Sequence, residues 1–126
     1  MSNHSKQVIL VRRDLRLKRA AMAALVARAS AEFLLDNDES ERGDTMTIKL
    51  TPPEASWMAS GRQVIVLGVS SESMLQSYLF KAEMAGIQCY PVSTGDGAGG
   101  YSVVAAALGP DDVDKVDEVT GRLKLI

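Results

Sequence analysis

Two runs restrict the fold of this chain more than any other feature: KQVILVRR at 6–13 and QVIVLGV at 63–69. Each contains at least four apolar residues in succession, so neither face of such a strand can be left to water. Both runs therefore read as strands inside a sheet that is covered on both sides. A helical segment succeeds each of them. LRLKRAAMAALVARASAEFLL (15–35) lacks glycine and proline and is rich in alanine, which predicts a long helix. Its apolar side chains lie around much of the circumference, which predicts burial on more than one face. SSESMLQSYLFKAEMAG (70–86) predicts a second helix, capped by serine at its start and closed by glycine. Strands alternating with helices give an α/β sandwich around a mixed or parallel sheet.

The remaining segments fit between these. DNDESERGD (36–44) is a polar loop, and MTIKL (46–50) alternates as a strand does. Thr51 before PPEASWMAS has the form of an N-cap with proline in the first turn, and Gly61 stops that short helix. IQCYPV (87–92) and YSVVAAALG (101–109) read as strands. PDDVDKVDEVTG (110–121) reads as a last helix that opens on proline and two acids and ends on glycine. No repeat, low-complexity stretch or linker divides the chain, so residues 1–126 form one domain with a flexible tail at 1–5.

Several chemistries are excluded. The only cysteine, Cys89, cannot form an internal disulfide or by itself a thiolate metal site, and it fits a reducing compartment. The only histidine, His4, lies in the polar N-terminal segment, so a Ser-His or Cys-His nucleophilic pair has no base. Zinc lacks its ligands, and the acids sit in loops and on the last helix, where they solvate a surface; no metal and no cofactor is expected. No apolar run has membrane-spanning length and no signal core succeeds the N-terminus, which predicts a cytoplasmic protein with no membrane partner.

The net charge of −2 conceals an uneven distribution. Arg12, Arg13, Arg16, Lys18, Arg19 and Arg28 crowd one segment against the single acid Asp14, whereas acids fill 36–44 and 110–118. A local basic cluster on a near-neutral chain suits a small anionic ligand or one phosphate-bearing end better than a long duplex. The glycine-rich TGDGAGG (94–100) stands between two apolar runs. It has no lysine and leads into a strand, so it is not a P-loop, and its GxGxxG precedes no helix, so it is not a dinucleotide fingerprint. It is either a turn that needs positive φ or a nest of backbone N–H groups open to an anion.

KQVILVRRDLRLKR, GRQVIVLGVSSESMLQSYLFKAEMAGI and ALGPDDVDKVDEVTGRLKLI together resemble the archaeal and eukaryotic type of peptidyl-tRNA hydrolase, which also has relatives in bacteria and phages. VRRDL (11–15) and the ending in GP…TG-LKL are the most specific pieces. The resemblance implies a compact three-layer domain with a four-stranded mixed sheet between helices, often a homodimer. It also implies cleavage of the ester that joins a peptide to the 3′ end of tRNA. The family's first helix typically reads G-K-x-A-A-Q-x-x-H-A. Here Ala20, Ala21, Leu25 and Arg28 replace its glycine, lysine, glutamine and histidine. The family's D-A-G-R-T is replaced by TGDGAGG, with Thr94 nearest the aspartate and Asp96 in that role only on a shifted register.

These replacements lead to the expectation of a catalytically degenerate relative that sequesters a nucleotide-like anion in the former cleft. Its ligand-binding set is Asp14, Arg16, Arg19, Arg28, Ser93, Thr94, Gly95, Asp96 and Gly97. Arg28 contributes a planar fork for phosphate, the hydroxyls donate, and Asp96 accepts from a ribose or base. One alternative is an active peptidyl- or aminoacyl-tRNA hydrolase whose catalytic groups have moved, with Lys18 and Asp96 in those roles and the tRNA 3′ end as partner. Another is an assembly module that uses the apolar face of the first helix.

Overall fold

The computed structural model of the protein describes residues 4–95 and 99–126. Strand β1 (Ser5–Arg12) is followed by a 3-10 turn (Arg13–Leu15), α1 (Arg19–Asp36), α2 (Pro52–Ala59) and β2 (Val64–Val69). Helix α3 (Glu72–Met84), β3 (Cys89–Gly95), β4 (Tyr101–Asp112) and α4 (Val113–Thr120) complete the chain. The sheet has four strands in the order β2-β1-β4-β3. β1 is parallel to β2 and antiparallel to β4, and β4 is antiparallel to β3. The expected α/β architecture with a mixed sheet between helical layers is thus what the chain forms.

The two faces of β1 explain why four apolar residues stand in a row. Val8 and Leu10 pack with Leu67, Val69, Leu75, Leu79 and Val116 beneath α3 and α4. Ile9 and Val11 point the other way, toward Phe33 and Trp57 of α1 and α2. Phe33 and Trp57 meet edge to face, their centroids 5.7 Å apart. Ala105, Ala106 and Ala107 keep β4 thin on both faces, so helices on each side approach the sheet closely. The one buried amide in β1, Gln7, is satisfied by Ser30 of α1: it donates to the Ser30 carbonyl at 3.0 Å and accepts from the Ser30 hydroxyl.

The capping box at Thr51 is present, with Glu54 Oε1 accepting from the Thr51 N–H at 2.9 Å, and Ser71 caps α3 by accepting from Met74 N–H at 3.1 Å. Several expectations are corrected. Ser5, assigned above to the tail, is buried and begins β1 opposite Asp112. Residues 46–50 form no strand but only an isolated bridge between Ile48 and Asp38. The Asp38 carboxylate accepts from the N–H groups of Ser40 and Thr47, so side-chain bonds replace a ladder there. Those same bonds, Ser40 first, hold Asp38 below the usual carboxylate range.

The last helix starts at Val113 rather than Pro110, because Asp111 and Asp112 continue β4 opposite Lys6 and Ser5. The first helix starts at Arg19, after Arg16 has turned through a left-handed φ of 50°. It is also far less buried than its composition implies, since only Ala29 and Phe33 are fully enclosed. Of its first ten residues only Met22, Leu25 and Val26 pack against the sheet, and each is half-buried.

The C-terminal residues lie along the outer edge of β2. Gly68 N–H donates to the Lys124 carbonyl at 3.0 Å and Ile126 N–H to the Val66 carbonyl at 3.3 Å. Arg13 crosses above them and donates to the carbonyls of Leu125 at 2.7 Å and Lys124 at 3.3 Å. The glycine is needed there, because a Cβ on Gly68 would lie 2.3 Å from Arg13 Nε. Gly68→Ala should therefore displace the guanidinium and cost about 1–2 kcal/mol, the scale of hydrogen bonds from a charged donor. In an Arg13→Ala background the same glycine substitution should be nearly neutral, as a urea-unfolding double-mutant cycle would read.

Candidate active site at the end of strand β1

Arg12 and Arg13 leave β1 on opposite sides, as successive strand residues must. While Arg13 holds the C-terminus, Arg12 turns toward the β3–β4 hairpin. Its Nε and Nη2 grip the Asp14 carboxylate at 3.1 and 2.7 Å, a bidentate pair that fixes the guanidinium plane. Its remaining Nη1 donates to the Val103 carbonyl at 3.2 Å and reaches Ser102 Oγ at 3.5 Å. From α3, the Glu72 carboxylate accepts the Val103 N–H at 2.7 Å. Val103 of β4 is thus held at both its backbone polar groups. The register irregularity between Val92 and Ser93 lies nearby. Beyond it Ser93 pairs with Val103 and Thr94 with Ser102.

A cleft of about 520 Å³ opens between this hairpin and the start of α1. Leu15, Leu17, Ala21 and Leu25 form the helical wall, and Thr94, Gly95, Ser102 and Val104 form the strand wall. The polar side chains of the cleft are therefore hydroxyls on the hairpin, and the helical wall is apolar. Arg16, Lys18 and Arg19 stand on the connection that leads into that wall, Arg19 opening the helix itself.

The structure sorts the candidate residues. Thr94 and Gly95 line the cleft, and Ser93 precedes them on the exposed edge strand. In TGDGAGG, Thr94 and Gly95 end β3, with Gly95 opposite Tyr101, and Gly99 has a φ of 85°. Asp96 and Gly97 lie outside the described residues. Asp14 is engaged by Arg12 and holds that arginine in place. The pairing depresses the Asp14 carboxyl below its ordinary range and raises the guanidinium of Arg12, in each case chiefly through the shared hydrogen bonds. Ala21 and Leu25 face the cleft, but Arg28 reaches Glu32 at 3.8 Å across one helical turn and is 60% exposed. The face expected to carry an anion-binding arginine presents methyl and isobutyl groups instead.

Sequence reasoning missed Glu72 and Ser102 and treated Arg12 only as one of several charges. Glu72 reads locally as a first-turn acid of α3, and nothing in its neighbourhood points across the sheet to Val103. His4 precedes the opposite end of β1, roughly 25 Å away at the rise of a strand, so imidazole chemistry has no place at this cleft. Cys89 is no nucleophile either. Burial, aided by Glu83, pushes its thiol up to about 12, and burial pushes the Tyr90 hydroxyl to about 12 as well.

Both groups ionise more readily in the unfolded chain. Above pH ~9 the unfolded state therefore binds fewer protons than the native state, and stability must fall as pH rises. Urea midpoints should decline from pH ~9 to pH ~12, and Cys89→Ala should remove the early part of that decline. Alkylation of native Cys89 by iodoacetamide at pH ~8 should be slower than in urea by at least about tenfold.

The family described as Peptidyl-tRNA hydrolase PTH2 matches residues 5–126. The chain is 33% identical to a Peptidyl-tRNA hydrolase of Haloquadratum walsbyi over 125 residues, covering 95% of this chain and 98% of that protein. It is 32% identical to one from Staphylothermus marinus over 126 residues, covering 96% and 94% of the two chains. One from Methanocaldococcus jannaschii is 28% identical over 127 residues, at 96% and 99% coverage. The similarity runs through both the first helix and the hairpin. It overturns the expectation of a catalytically degenerate binder of a nucleotide-like anion, because relatives similar along nearly their whole lengths carry the hydrolase name. The alternative of an active hydrolase is the one they favour.

Proposed function

The chain belongs to the peptidyl-tRNA hydrolase PTH2 family, and from that premise we propose that it hydrolyses the ester between a peptide and the 3′ end of tRNA. The observation that carries this reading is the family match over residues 5–126, a range that takes in both walls of the cleft. No membrane-spanning helix occurs among the described residues.

Ester hydrolysis needs a water placed against the carbonyl carbon, a group to take its proton, and donors where negative charge develops. Residues in and around this cleft divide those tasks. Arg16 and Lys18, on the turn that leads into its helical wall, attract the terminal phosphates, Lys18 from the N-cap position of α1. Thr94 and Ser102, side by side on the hairpin, supply hydroxyls that orient water or donate to the oxyanion. Asp96, the only acid in TGDGAGG, is the proton acceptor. Arg12, Asp14 and Glu72 position the hairpin. The apolar helical wall keeps bulk water from the ester.

N-acetylaminoacyl-tRNA incubated with the protein should release its acyl group, and the rate at subsaturating substrate should fall as salt rises from about 50 to about 200 mM. Ser102→Ala and Asp96→Asn should each lower kcat about 10²-fold, the scale of an oxyanion donor or general base. Lys18→Ala should act chiefly through KM. Full retention of tRNA-linked ester after prolonged incubation would sink the reading.

A further inference from the structure

A second cavity, of about 640 Å³, lies on the other side of α1, between its first turns and the outer strand β2. Leu17, Met22 and Val26 form one wall, Val64 and Val66 the other, and Ile126 closes it. Arg19 stands at its lining, and Ser30, the other polar residue there, has its hydroxyl committed to Gln7. The groove exists because α1 has no fully buried residue before Ala29. Met22 and Val26 touch the core only in part, and the helix leaves Val64 and Val66 incompletely covered. Val64, the first residue of the edge strand β2, is consequently 38% exposed.

Leu17 lines this groove and the cleft alike. The two cavities therefore adjoin at one side chain, and they differ in chemistry. The cleft carries hydroxyls and glycine backbone on its strand wall, facing an apolar helical wall, whereas the groove is apolar on both walls. The substrate named in the proposed function has the same division, an anionic nucleotide on one side of the ester and an acyl chain on the other. Because that bond ties the two halves together, whatever holds the nucleotide in the cleft delivers the acyl group within a few bonds of Leu17. A pocket of this volume accepts apolar side chains and removes them from water.

We propose that the groove between α1 and β2 is the acyl subsite, binding the apolar side chain of the peptide's C-terminal residue and so setting a preference for apolar over small or acidic acyl groups. This rests on the hydrolase reading. A second copy of the chain is the less favoured occupant, because a groove that shares Leu17 with the cleft lies within reach of something attached to what fills the cleft.

The test uses one tRNA acylated separately with N-acetylleucine, N-acetylglycine and N-acetylaspartate. The ratio of kcat/KM for leucyl over glycyl should be about tenfold or more, the scale on which a hydrophobic pocket discriminates. Ala23→Glu, at an exposed position of the groove lining, should bring that ratio close to one. A ratio has the advantage that any general effect of the added charge on tRNA binding cancels. Met22→Ala offers a second, milder variant, which should reduce the ratio without adding charge.

Equal hydrolysis of all three substrates by the unaltered protein would overturn the subsite while leaving the hydrolase intact. So would an undiminished leucyl preference in both variants. If Ala23→Glu instead shifts the sedimentation coefficient while the preference stays, the groove is a contact between copies and the proposal falls. Absence of hydrolysis with every substrate would overturn both readings.

Discussion

Strand β1 is hydrogen-bonded along both edges and buried on both faces, and the two arginines that end it divide the rest of the molecule between them. Arg13 reaches the C-terminal carbonyls and holds the last residues along β2. Arg12 reaches the hairpin and, with Glu72, holds the backbone of Val103. VRRDL and the LKL ending, at opposite ends of the chain, are thereby in contact through Arg13. Their joint appearance in the sequence has a mechanical reason. A strand so enclosed cannot slip by one residue, since a slip would exchange the two cores. Arg12 and Arg13 are consequently presented at a fixed height and on fixed sides.

The ion pairs themselves contribute little to stability. Arg12 and Asp14 form a bidentate pair, yet the carboxylate is open to solvent and screened by it. The consequence of the pair is geometric. With two nitrogens occupied by Asp14, the third is aimed at the Val103 carbonyl by the planar geometry of the guanidinium. Asp14 therefore acts on the cleft at one remove, through the arginine it orients, and a direct contact with ligand is unnecessary to explain its presence. Arg28 shows the contrast. Its partner Glu32 is one turn away on the same helix, so their attraction positions nothing beyond the helix surface.

Local rules were legible where a segment decides its own conformation. The VILV run placed the central strand, Thr51 and Glu54 announced their capping box, and the glycines after α2 and α3 marked the helix ends. The same rules failed where a distant partner decides. Pro110 with two acids has the form of a helix start, but β1 offers ladder partners at Ser5 and Lys6 and the strand continues through Asp112. MTIKL alternates correctly and finds no strand to pair with, because Asp38 has already taken the N–H of Thr47. The first helix is apolar nearly all round, which composition cannot distinguish from deep burial. Seven of its first ten residues line one or other of two cavities instead. Glu72 acquires its role only through the fold, since Val103 comes to it from a separate strand far along the chain.

The substituted helix motif has a physical reading in this arrangement. Along the cleft, α1 and the turn before it contribute Leu17, Ala21 and Leu25, and the polar groups come from the hairpin opposite. A lysine or glutamine on that wall would donate to the substrate directly. An apolar wall lowers the local dielectric and so strengthens whatever the hairpin hydroxyls and the cations of residues 16–19 do across the gap. On the proposed reading, attraction of phosphate has moved from the body of the helix to its entrance, one turn earlier, where Lys18 also stands at the positive end of the helix. The chemical burden falls on the hairpin, whose position depends on Arg12 and Glu72. On that reading, the network that looks most structural in this protein is the one that sets the geometry of the hairpin wall.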